Sequence, residues 1–138
     1  MIKVLTAVGL VLASAGAEAQ APALINLKGH WIGTSESIVR GKAMHHSAPK
    51  AAEPMVDNVE FDFAITGQDG RRFWGTVTSK TGQEPIIGVI ALDGTTIVAS
   101  DSDGTLQGTI VDSDTIDLVY VHHGKSTVVA ANRIKRQK

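Results

Sequence analysis

Two adjacent histidine pairs, His45-His46 and His122-His123, are the side chains of this 138-residue chain best suited to ligating a metal. With His30 they account for all five histidines. Three or four imidazoles gathered at one end of a fold would suit Zn²⁺ or Cu²⁺. The spacing opposes a preformed site, because neighbours on a strand point to opposite faces and each pair then offers at most one inward ring. Neither a cysteine nor an H-x-x-x-H spacing supports a metal centre. Solvated loop and strand-end histidines are the expectation, and His45, His46, His122 and His123 remain weak candidates with no metal expected. Asp101-Ser102-Asp103-Gly104 has the acidic opening of a calcium loop. An EF-hand loop needs glycine sixth and glutamate twelfth. Here Gly104 is fourth and Asp112 twelfth, so a hairpin turn is expected instead.

Catalytic motifs are sparse. The chain has no Gly-x-Ser-x-Gly and no thiol nucleophile. Ser35 and Ser37 flank Glu36 without an evident base, and Glu60 falls on a solvent-facing side with Asp62 and Thr66. Tyr120 and Asn132 stand out more. Each is the polar exception on an otherwise apolar face: Ile116, Leu118, Tyr120 on one strand and Val128, Ala130, Asn132, Ile134 on the next. A polar group among inward apolar residues must be hydrogen-bonded to protein, water or ligand, and protein is the common case. A hydroxyl and an amide suit orienting a neutral molecule better than holding a charge. Trp31, Glu36 and His122 complete the candidate ligand-binding set, and no catalytic residue is assigned.

The elements that must position these residues are strands. Val59, Phe61, Phe63 and Ile65 alternate with Glu60, Asp62, Ala64 and Thr66, the period of a half-buried strand. Asp93-Gly94, Asp103-Gly104, Asp112-Ser113-Asp114 and His123-Gly124 punctuate short runs of Val, Ile and Thr between Ile86 and Ile134. Asp-Gly between such runs predicts type I′ hairpins, with φ > 0 at both central positions. Residues 80–84 read as a loop, and residues 40–56, broken by Gly41, Pro49 and Pro54, as a long irregular segment with a helical turn near Ala51. Such a segment is either a lid or disordered. About eight short strands in simple succession must hide two edges, and closure removes them. The expected fold is all-β: a single antiparallel up-and-down meander barrel, with a two-sheet β-sandwich as the alternative.

Gly29-x-Trp31 near the start of the first strand, followed by an eight-strand meander, resembles the calycin group, the avidins and lipocalins. The resemblance implies a barrel whose floor is closed by Trp31. The chain departs from the lipocalins in lacking a helix after the barrel, and from the avidins in lacking the extra tryptophans of the biotin pocket. No ligand is carried over.

Residues 1–19 have the form of a secretory signal: basic Lys3, an apolar run from Val4 to Ala15, and Ala17-Glu18-Ala19 before the cut at Gln20. The run is too short to span a bilayer, which takes roughly 20 apolar residues. Residues 20–138 then form one barrel domain in the periplasm of a bacterium or outside the cell. Without cysteine, that domain must rely on its own core. A net charge of -1 and 4% aromatic residues point away from nucleic acid. The expected function is non-catalytic binding of a small apolar or amphipathic molecule, without a cofactor. Two alternatives stand beside it: a protein-interaction barrel such as a periplasmic protease inhibitor, and an enzyme whose site lies in the barrel mouth.

Overall fold

Period-two alternation runs through every strand, so each offers one apolar face that has to be hidden. The computed structural model, which describes residues 23–46 and 53–138, hides all of them in one interior. The strands are β1 (Gly29–Arg40), β2 (Met55–Asp69), β3 (Arg72–Ser79), β4 (Gly82–Ile90), β5 (Thr96–Ser100), β6 (Gly104–Asp112), β7 (Thr115–His122) and β8 (Thr127–Arg136). Each pairs antiparallel with the next, and β8 returns to β1, with Ser35 opposite Asn132 and Val39 opposite Val128. The result is a closed eight-stranded barrel in simple up-and-down order. The sandwich is excluded, because closure leaves no free edge.

Several local expectations need correction. The Asp-Gly turns are not type I′. Gly94 and Gly70 have positive φ, but among the described residues none other than glycine does, and Gly104 does not either. The aspartates stabilise the turns through their side chains instead. Asp93 Oδ1 accepts the N–H groups of Thr95 and Thr96 at 2.8 Å, and its Oδ2 accepts the Thr96 hydroxyl at 2.6 Å. These bonds hold the Asp93 carboxyl down at about 2, with the Thr96 hydroxyl the main cause. Asp101 Oδ1 does the same for the N–H groups of Asp103 and Gly104. This Asx geometry turns the chain without forcing a side chain into the left-handed region. The loop expected over residues 80–84 is also shorter: β4 begins at Gly82, so Glu84 lies within a strand, opposite Val77. The helical turn expected near Ala51 falls outside the described residues.

The barrel has a floor and a mouth. At the floor, Trp31 is 1% exposed and packs with Leu27, Phe73, Ile90 and Ile134. Its indole Nε1–H donates to the Leu27 carbonyl at 2.8 Å, and the Arg136 guanidinium stacks 4.1 Å from the ring. Residues 23–28 reach across this end, where Gln68 accepts from Leu27 N–H and donates to the Ile25 carbonyl. The mouth lies at the opposite end, where Ala43 and His46 are buried and residues 43–46 cover part of the opening.

Candidate functional site

Odd-numbered residues of β1 point inward, as the buried Trp31, Ser35, Ser37 and Val39 show. Glu36 therefore points out. It is exposed and lines a shallow outer groove with Thr34 and Asp117, which removes it from the interior. Ser35 and Ser37 are fully inside and satisfy each other at 2.9 Å. Gly33, also inward, keeps space for the Asn132 amide. A Cβ at position 33 would lie 2.6 Å from Asn132 Oδ1 and 2.3 Å from the Arg133 carbonyl oxygen. Gly104 does the same for Tyr120, whose hydroxyl would meet an added Cβ at 2.5 Å.

Ser35 is among the residues that line a cavity of about 50 Å³ at the mouth end. Tyr120, Asn132 and His122 line it. Trp31 does not; it lines a second, apolar cavity of about 30 Å³ at the floor. Phe63, Leu106 and Leu118 border both and divide the interior. One water needs roughly 10–15 Å³, and benzene is housed by an engineered cavity of about 150 Å³. The mouth cavity therefore admits a small head group, not a ring.

Sequence reasoning missed the residue with the sharpest polar character. Glu84, at 3% exposed, turns into the cavity from the start of β4. Its Oε2 accepts from His45 Nε2 at 3.1 Å, while its Oε1 is buried with no hydrogen-bond partner. Asn132 Oδ1 is likewise buried and unpartnered. Unmet acceptors cost about 1–3 kcal/mol each, more for a charged group, so both oxygens call for a donor that the described residues do not supply.

His45 and His46 are not the solvated groups expected. His45 and His46 sit in the covering segment and both line the cavity with His122, while His123 is exposed. The rule of one inward ring per pair fails because residues 45 and 46 follow no strand alternation. His46 is 8% exposed and meets Asp57 Oδ2 at 3.1 Å. Burial lowers its pKa below the ordinary histidine value, against the raising effect of Asp57. His30 pairs with Asp62 on the outside. Among the described residues no group of three or more His, Cys, Asp or Glu side chains is arranged to hold a metal.

His45 Nδ1 lies 2.7 Å from the Ser79 hydroxyl, giving a hydroxyl–imidazole–carboxylate chain to Glu84. That order is the order of a hydrolytic triad. Ser79 Oγ, however, also accepts the Thr81 N–H across the β3–β4 turn. Its evident part is to hold the turn and the His45 ring in place. Tyr120 OH is 3.5 Å from Asp101 Oδ1, the outer limit of a hydrogen bond. Burial raises the phenol pKa well above its ordinary value, with the nearby charges of Asp101, Glu84 and Asp103 adding to it. Tyr120 is therefore a neutral donor and a poor base.

No known protein family matches the chain, and no curated protein does. Among solved structures, an S-type phycobiliprotein lyase from Guillardia theta aligns over 81% of this chain and 89% of its own, at 11% identity and a TM-score of 0.34. So distant a likeness bears on neither ligand nor chemistry.

Proposed function

We propose that this barrel is a non-catalytic binding module for a small amphipathic molecule, held by its head group in the mouth cavity. The observation that carries this reading is the pair of buried acceptors without partners among the described residues, Glu84 Oε1 and Asn132 Oδ1, on residues that line one cavity from opposite sides of the barrel. A closed structural core has no use for them. Tyr120 supplies a donor, and Phe61, Val77 and Met44 supply apolar contact toward the opening. His122 belongs to the same lining, whereas Trp31 supports the fold from the far end. We also propose that residues 1–19 direct export, so that the module works in the periplasm or outside the cell.

The test is saturation-transfer NMR with 1-pentanol and pentylammonium, on the wild type and on Ala130→Leu, which fills the cavity. Saturation of at least one probe, lost in the filled variant, supports the reading. Absence of transfer to both probes, or transfer unchanged by Ala130→Leu, overturns it.

A second reading, contact with a protein, draws on the outer wall. Trp74 (46% exposed), Ile87 (66% exposed), Val89 and Val98 form an apolar strip across β3, β4 and β5. Exposed apolar strips of this kind often mark interaction surfaces. Substituting Ile87→Lys and Val98→Lys would abolish such a contact and leave the cavity untouched.

A further inference from the structure

We infer that the head group taken by the mouth cavity is a protonated amine, so that the ligand is a small alkylammonium ion. This rests on the reading of the cavity as a ligand site and names the chemistry of its occupant. Among the described residues of the lining, Glu84, Asp101 and Asp103 contribute carboxylates, His45, His46 and His122 contribute imidazoles, and there is neither lysine nor arginine. Asp101 uses its Oδ1 on turn N–H groups, so Glu84 carries the demand. One of its oxygens is engaged by His45 and the other is buried without a hydrogen-bond partner among the described residues, on a side chain that lines the cavity and is almost closed to solvent. A buried carboxylate is tolerable only when paired or hydrogen-bonded.

An ammonium group has three N–H donors and no acceptor. It can therefore pair its charge with Glu84 Oε1 and keep two donors for other acceptors of the lining. A hydroxyl carries one donor and no charge. A ligand carboxylate would set acceptor against acceptor and negative against negative. Burial is the main cause of the raised Tyr120 pKa, and the Asp101, Glu84 and Asp103 charges that add to it favour a cation beside the ring. Size agrees: about 50 Å³ accommodates an ammonium and the first carbons of a chain. Phe61 and Met44 then lie along the way out for the remaining carbons.

The experiment compares three probes of one length by calorimetric titration near pH 7: pentylammonium, 1-pentanol and pentanoate. Pentylammonium should bind at least about tenfold more tightly than 1-pentanol, since charge-assisted hydrogen bonds are roughly twice as strong as neutral ones. Pentanoate should give no heat. Glu84→Gln keeps the shape of the side chain and should bring the amine down to the alcohol's affinity. Asp103→Asn, an exposed change at the rim that the fold tolerates, should weaken the amine a few-fold and leave the alcohol unchanged. Equal affinity for amine and alcohol, or an amine affinity indifferent to both substitutions, overturns the cation assignment while the cavity remains a ligand site. Failure of all three probes to bind overturns the ligand site itself.

Discussion

Phe63 divides the barrel interior, and its removal is the most informative single perturbation. The ring is 6% exposed and borders both the mouth cavity of about 50 Å³ and the floor cavity of about 30 Å³. Phe→Ala in a core costs roughly 3–5 kcal/mol, the spread depending on how far the site collapses. Here collapse is opposed on every side, because all eight strands are hydrogen-bonded to both neighbours around the closed circle. The cost should therefore fall in the upper half of that range, about 4–5 kcal/mol. Urea slopes of about 1–3 kcal/mol/M turn that into a midpoint lowered by roughly 1–5 M. The variant should also gain an activity the wild type lacks. The two cavities and the vacated ring space merge into a void large enough for benzene, which needs about 150 Å³. Benzene should then raise the melting temperature of Phe63→Ala and leave that of the wild type unchanged. A loss below about 1 kcal/mol would be that of a solvent-side residue, and would mean the inward face of β2 has been misassigned.

Four further outcomes are expected. Trp31→Phe removes the bond to the Leu27 carbonyl and weakens the Arg136 stack, and should cost about 1–2 kcal/mol by denaturant titration; an unchanged midpoint would deny the floor its latch. His46 has a folded pKa below its ordinary value of 6.5, so the unfolded chain binds more protons as the pH falls below that value. The stability it contributes is complete above pH 6.5 and declines as pH drops through the lower folded value; Asp57 and His45 are the charged neighbours that shape this. Melting curves between pH 7.5 and 4.5 should show the decline in the wild type and a shallower one in His46→Gln. Tyr120→Phe and Asn132→Ala should each weaken a polar head group by about 0.5–1.5 kcal/mol in titration, with a purely apolar probe unaffected. Mass spectrometry of the exported protein should give an N-terminus at Gln20; a chain retaining Met1 would remove the case for export.

The barrel was legible because alternation and turn residues agree along the chain. Val59, Phe61, Phe63 and Ile65 face one way at period two, and Asp69, Asp93, Asp101 and Asp112 mark four of the places where the chain reverses. Tyr120 and Asn132 were legible as exceptions to that period. Glu84 was hidden because Lys80 to Glu84 reads as polar loop; only the tight β3–β4 turn sets Glu84 opposite Val77 and aims it inward. Glu36 was misplaced for the converse reason: counting in twos from Trp31 passes through Ser35 and Ser37 and leaves Glu36 outside. His45 and His46 lie in a segment with no period, so their burial depends on tertiary contacts with Ser79, Glu84 and Asp57. Periodicity reports the direction of strand residues and is silent about irregular segments that fold over a barrel end.

The most direct test of the account is where a bound probe lies. Intermolecular NOEs should be measured between pentylammonium and methyl-labelled protein. Contacts to the methyl groups of Val77, Val128 and Ala130, which line the mouth cavity, are the predicted result. Contacts confined to Ile87, Val89 and Val98 on the outer wall would contradict it and move the binding surface to the outside of the barrel.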